Sequence, residues 1–155
     1  MKQLSISLIN RTIEFSEVDL RFYECETNIY RKYLNIKKLE LNRYGGSIFC
    51  KFNIENKYKK LKGLYCFAIN DRIVYIGRCT DNYGKRINYG YGNISPRNCF
   101  IGGQSTNCRI NAEIKKHQVA IRFGIYILAN NEDICSLEKE IIQQNKEALC
   151  WNIQK

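Results

Sequence analysis

"GLYCFAINDRIVYIGRC", residues 63–79, contains two β-like runs, each with a tyrosine close to a glycine. Apolar, β-branched and aromatic residues on both sides of Asn70 and Asp71 read as a hairpin with that pair at its tip. Tyr65 and Tyr75 then sit in similar settings, either to cover a core or to share a site. Side chains alternate between the faces of a strand. A strict two-residue turn pairs Tyr65 with Ile76 and sends the two tyrosines to opposite faces. A shared site therefore predicts a three-residue loop centred on Asn70, or a bulge, that sets Tyr65 directly opposite Tyr75.

Downstream of the hairpin, "NYGKRINYG" predicts a short helix ending at Gly90, and "YGNISPRNCFIGGQ" predicts a loop. Ser105 or Thr106 is a candidate cap for a helix running to about His117. "VAIRFGIYIL" reads as a strand, Asn131 or Asp133 as the cap of a last helix, and "ALCWNIQK" as extended. Upstream, "LSISLI" and "RTIEFSEV" alternate as strands do. "NIYRKYLNIKKLELNRY" carries Ile29, Tyr33, Ile36, Leu39 and Leu41 at roughly helical spacing, and "YGG" stops it. The order predicts an α+β fold with a small antiparallel sheet flanked by helices.

At 155 residues the chain has the length of one domain, enough to bury a core without staples. No run approaches the roughly 18 apolar residues that a membrane span requires. "MKQLSISLINRTIEF" lacks the pattern of a signal peptide, which points to the cytoplasm. Cys25, Cys50, Cys66, Cys79, Cys99, Cys108, Cys135 and Cys150 are evenly spread with no CxxC pair, so free and mostly buried thiols are expected rather than disulfides or zinc. A histidine-dependent mechanism would have to use His117, the one histidine, on a lysine-flanked helix end.

The net charge is +10, unevenly spread. Residues 61–130 carry 10 basic against 3 acidic side chains, whereas residues 131–155 carry 3 against 5. A middle poor in carboxylates, with aromatics among the basic residues, suits a nucleic acid better than a membrane surface.

Three residues break the local pattern. Glu138 falls within the apolar stripe of Ile134, Leu137, Ile141 and Ile142 on the last helix. A carboxylate there must be paired or bind a metal. Arg86 lies three residues after Tyr83 and next to Ile87, on the inward side of its helix, and Asn152 follows Trp151 in a segment that reads as packed. The simplest account is a structural Glu138–Arg86 salt bridge.

The combination says more. Gly63, Leu64 and Tyr65, then nine residues, then Tyr75, Ile76 and Gly77, with Arg86, Glu138 and Asn152 following in order, resembles the GIY-YIG nuclease superfamily. Leu64 departs mildly from the motif, and the literal "GIY" at 124–126 lies too far downstream to be part of it. "AINDRIVYIG", "KRINY" and "WNIQ" are most similar to phage-type members, and restriction-type members share the pattern. The likeness covers residues 63–155, is weak across 91–104 and is absent before residue 60.

The resemblance implies a GIY-YIG catalytic core over residues 61–155 and an N-terminal extension over 1–60 for recognition or oligomerisation. It also implies a metal-dependent DNA endonuclease, of either the type II restriction or the phage degradative kind. Glu138 would be the only protein carboxylate on one Mg²⁺ or Mn²⁺, an arrangement that suits Mg²⁺. Arg86 would hold the scissile phosphate. Tyr65 would act as or assist the general base, with a phenol pKa lowered by nearby cations, and Tyr75 would orient water or phosphate. Asn152 would fix the geometry, and Arg78 sits where the family often carries lysine. Tyr89 or Tyr91 would fill a further family position. Lys85 and the segment Gln104, Ser105, Thr106, Asn107 and Arg109 are candidates for DNA contact. The implied partner is double-stranded DNA, and one site per chain implies a homodimer or homotetramer for double-strand cutting. The alternative from another class is a catalytically silent nucleic-acid-binding module.

Overall fold

The computed structural model describes residues 2–24, 40–128 and 133–153. The chain is mixed α+β. Strands β1 (Gln3–Ser7), β2 (Thr12–Val18), β5 (Gly63–Ile69), β6 (Arg72–Cys79) and β7 (Ile121–Ile127) form one sheet in the order β1-β2-β7-β5-β6. Every neighbouring pair in it is antiparallel. Strands β3 (Arg21–Tyr23) and β4 (Lys51–Asn53) pair separately. The two N-terminal strands thus lengthen the sheet that the hairpin begins. The predicted helix over 28–44 falls mainly outside the described residues.

β5 is central and almost wholly buried, which its near-continuous apolar run predicts. On one face Tyr65, Phe67, Val74 and Phe123 pack with Ile87 and Tyr91 of a π helix (Gly84–Tyr91) and with Ile110 and Ile114 of helix α1 (Ser105–Lys116). On the other face Leu64, Cys66 and Ile76 pack under helix α2 (Ile134–Gln144) through Ile134, Leu137 and Ile141. Cys50, Cys66, Cys79, Cys99 and Cys108 are buried, as expected of thiols that pack as small apolar groups.

One polar cluster ties strands within the sheet. Arg122 of β7 donates from Nε and Nη2 to both carboxylate oxygens of Glu17 on β2, each at 2.7 Å. Its Nη1 reaches the Asp71 carboxylate and the Asn70 carbonyl at the hairpin tip. The three groups lock the N-terminal strands to the hairpin.

The hairpin corrects part of the expectation. Its turn has two residues, with Asn70 left-handed at φ 53° and Ile69 paired to Arg72. A bulge follows at once, because Ala68 pairs with Ile73 while Phe67 pairs with Tyr75, leaving Val74 as the extra residue. Tyr65 therefore faces Gly77, not Tyr75. The bulge still restores parity, so the two tyrosines share a face with ring centroids 6.2 Å apart.

The helix after the hairpin runs to Tyr91 and is π-wound; the Gly92 N–H bonds the Ile87 carbonyl at 2.7 Å. The loop that follows contains a short 3₁₀ turn, Pro96–Cys99. Gln104, not Ser105 or Thr106, is the cap residue of α1, and Ser105 is already helical. Asp133 caps α2, accepting from the Cys135 and Ser136 N–H groups. The C-terminal segment forms turns rather than an extended run. Among the described residues, no helix is long and apolar enough to cross a membrane.

Candidate active site

A cleft of about 510 Å³ straddles the β6 edge of the sheet. Tyr65, Tyr75, Tyr91 and Arg86 line it from one face, and Arg78 with Glu138 from the other. Gln104, Ser105, Thr106 and Asn107, at the start of α1, close a third side. Residues from four separate stretches of chain thus meet in one place.

The tyrosines form a chain of hydroxyls. Tyr65 Oη lies 2.8 Å from Tyr91 Oη, and Tyr91 Oη lies 3.2 Å from Tyr75 Oη. Tyr65 and Tyr91 are buried, while Tyr75 is half-buried at the mouth. Burial pushes the Tyr65 phenol well above its ordinary pKa, Tyr91 and Tyr75 push it further, and Arg86 opposes them weakly. In place of the expected lowering by cations, desolvation of the phenolate outweighs the Arg86 guanidinium. Burial raises Tyr91 as well.

The glycines of the hairpin make room for this chain. Gly77 lies opposite Tyr65, and a Cβ there would sit within the Tyr65 ring and hydroxyl. Gly63 has φ +150° and crowds the Tyr126 carbonyl and the Tyr83 hydroxyl, so only glycine fits. The Tyr83 hydroxyl donates to the Leu64 carbonyl at 2.7 Å and holds the start of the π helix against β5.

That helix brings Tyr91, and not Tyr89, to the cleft. Bonding from residue i to i−5 stacks residues five apart, so Arg86 and Tyr91 face the cleft together. Tyr89 points away and is 69% exposed. Asn111 of α1, fully buried, fixes Tyr91 from behind. Its Nδ2 donates to the Tyr91 carbonyl at 2.6 Å and the Cys50 carbonyl at 2.8 Å. Sequence reading missed Asn111, since a polar residue in a polar-looking helix gives no sign of burial.

Arg86 is exposed toward the cleft rather than turned inward, and among the described residues no carboxylate pairs with it. Burial works against its charge, but the three tyrosines outweigh it and the net shift is upward. The ion pair falls to Arg78 instead, whose Nη1 stands 3.4 Å from Glu138 Oε1. Glu138 is only 16% exposed, and burial raises its pKa against the pull of Arg78 and Arg86.

Asn152 does not line the cleft; it splints the edge beside it. Its Oδ1 accepts from the Ile76 N–H and its Nδ2 donates to the Ile76 carbonyl, both at 2.9 Å. The Trp151 N–H bonds the carbonyl of the bulged Val74 at 2.9 Å. The C-terminal turn thereby stands in for a missing edge strand and holds the bulge that keeps both tyrosines on one face. Lys85 lies on the outer side of Arg86, paired with Asp81 at 2.8 Å, and Arg109 lines a neighbouring slot.

Among the described residues, no three His, Cys, Asp or Glu side chains converge as a metal cluster. Among the described residues, Glu138 is the only carboxylate lining the cleft. A single carboxylate fits Mg²⁺, which commonly keeps water and substrate phosphate as its other ligands. No protein-family model, curated protein or solved structure matches this chain.

Proposed function

We propose that the chain is a metal-dependent endonuclease for double-stranded DNA, with residues 61–155 as a GIY-YIG catalytic core. The observation that carries this reading is the convergence of Tyr65, Tyr75, Tyr91, Arg86 and Glu138 on one cleft, in a chain of net charge +10. The arrangement supplies what phosphodiester hydrolysis demands: a fixed cation for the phosphate, hydroxyls to direct water, and one carboxylate for a metal.

Glu138 would hold one Mg²⁺ or Mn²⁺, which supplies Lewis-acid stabilisation of the charge that builds on the scissile phosphate. Arg86, free of any acidic partner among the described residues, grips that phosphate from the tyrosine side. Arg78 keeps Glu138 aimed at the cleft through their ion pair. Tyr75, at the mouth, orients the attacking water, and Tyr91 and Tyr65 behind it fix its hydroxyl. With the Tyr65 phenol raised, its role is to donate or relay a proton along this chain rather than to stand as a free phenolate. A homodimer or homotetramer would place a second site on the other strand.

The Arg78–Glu138 contact favours one competing reading, a silent nucleic-acid-binding module whose cleft carboxylate Glu138 is already paired. Purified chain incubated with unmethylated plasmid, with and without Mg²⁺, separates the two. We expect Mg²⁺-dependent cutting that Glu138→Ala abolishes. Discrete fragments mark a restriction enzyme, and a smear or nicking marks the phage degradative kind. Salt-sensitive binding with no cutting in the presence of Mg²⁺ overturns the enzyme reading.

A further inference from the structure

Behind Tyr75 lies a second slot of about 260 Å³. Tyr75, Ser105 and Thr106 line both it and the catalytic cleft, so the two adjoin. Tyr44, Arg109, Asn152 and Ile153 complete its walls, and among the described residues no carboxylate lines it.

Arg109 is half-buried and has no carboxylate partner among the described residues. Its Nη1 donates to the Trp151 carbonyl at 2.8 Å, which fixes the guanidinium and leaves its other N–H groups to spare. Such a cation is preorganised for an anion. Tyr44 is held as firmly. Asn42 donates to the Asn98 carbonyl at 2.6 Å and the Phe100 carbonyl at 3.2 Å, and its Oδ1 accepts from the Tyr44 N–H at 2.9 Å. The body of Tyr44 packs on Phe49, Ile94 and Cys99. The Arg43 guanidinium stands 5.5 Å from its ring centroid, which adds a second cation near the same aromatic.

A rigid aromatic, an unpaired arginine and two hydroxyls match the chemistry of a nucleotide: a flat base and an anionic phosphate. Resting on the nuclease reading above, we propose that this slot receives a nucleotide flanking the scissile phosphate, with its base against Tyr44 and its phosphate at Arg109. Tyr44 belongs to the first sixty residues, so that segment takes part in holding the substrate. The ligand is DNA, because the slot extends the site in which we place DNA cleavage.

Fluorescence anisotropy of a labelled DNA duplex with the full chain in EDTA tests this without cutting. Stacking of one base leads us to expect Tyr44→Ala to weaken binding about tenfold, while Tyr44→Phe, which keeps the ring, stays near the parent. Arg109→Gln should lower the salt slope by about one, and Arg109→Lys should keep it. If the parent binds with a steep salt dependence and Tyr44→Ala and Arg109→Gln bind as the parent does, the slot is not used, and the nuclease reading stands. A parent that neither binds nor cuts DNA overturns both. Tighter, Tyr44-dependent binding of an RNA of the same sequence overturns the DNA assignment. Arg43→Gln, on an exposed side chain, gives a variant whose folding is not at risk, and a weakening of several-fold is expected.

Discussion

Two arginine-carboxylate clusters stand on the same sheet and are built to opposite standards. Around Arg122, both Glu17 oxygens are met bidentately at 2.7 Å, and the hairpin tip takes the remaining nitrogen. The Glu17 pKa is lowered, first by its hydrogen bonds from Arg122. In the cleft, Arg78 meets Glu138 by one contact at 3.4 Å, Arg86 meets no carboxylate among the described residues, and burial raises the Glu138 pKa. The first cluster satisfies its charges and closes the fold. The second leaves charge unspent, which is what the proposed site for a phosphate and a cation requires. The pair teaches that the quality of pairing, more than the presence of charge, separates scaffold from site.

The largest effect should come from exchanging the roles in turn. Arg86→Ala should lower DNA cleavage by about 10³-fold or more, the usual scale for a cation at a transferring phosphate. It should leave unfolding free energy within about 0.5 kcal/mol. Arg122→Ala should do the reverse: about 1–3 kcal/mol lost in urea unfolding, since it removes two charge-assisted hydrogen bonds to Glu17, with cleavage by the folded fraction retained. If Arg86→Ala unfolds the chain as readily as Arg122→Ala, the distinction between the two clusters fails.

Much of this was legible in the sequence, and the gaps have physical causes. Strands with clean alternation, such as β2, and the continuous apolar run of β5 announce themselves through burial pattern alone. Glu138 announced itself as a carboxylate in an apolar stripe. Its partner could not be read, because Arg78 and Arg86 both lie within reach of it in the fold and only side-chain direction selects between them. The bulge at Val74 was foreseeable as a need, but its mechanism was not. It is held by Trp151, a partner more than seventy residues away. The π winding that brings Tyr91 rather than Tyr89 to the cleft rests on hydrogen bonds that span one extra residue, which no hydrophobic pattern over so short a helix resolves. Tyr44 went unremarked because its setting is made by Asn42 clamping a distant loop.

A smaller effect is expected from the glycine that admits Tyr65. Gly77→Ala puts a methyl group into the Tyr65 ring, and overpacking of this kind costs about 1–3 kcal/mol. Because the ring is the obstacle, the cost should largely vanish in a Tyr65→Ala background, a coupling that a double-mutant cycle in urea measures directly. Cleavage should fall in Gly77→Ala even at temperatures where the chain is folded, since the hydroxyl chain through Tyr91 is displaced. A cost that persists without the Tyr65 ring would mean that Gly77 serves the strand's backbone and not the site.

The smallest effect is the most discriminating, because the two carboxylates predict opposite signs. Glu17 has a folded pKa below its unfolded value, so its contribution is present above the unfolded pKa and is lost as pH falls through the folded one. Glu138 has a folded pKa above its unfolded value. The folded state therefore binds the extra proton in the window between the two, and stability falls as pH rises through it. Above that window the ionised Glu138 carries its full desolvation cost. Without divalent metal at neutral pH, Glu17→Gln should lower the melting temperature, whereas Glu138→Gln should leave it unchanged or raise it slightly. The Arg78 pairing that the second change removes is a single long contact to a guanidinium 40% exposed, of the kind worth about 0–1 kcal/mol. At a pH below both carboxylate ranges, the Glu17→Gln deficit should close, because protonated Glu17 no longer holds Arg122 as an ion. Thermal melts of the three proteins at acid and neutral pH make the comparison. Should Glu138→Gln cost as much as Glu17→Gln, the Arg78–Glu138 pair is a structural bridge like the other, and the case for a metal at Glu138 loses its physical basis.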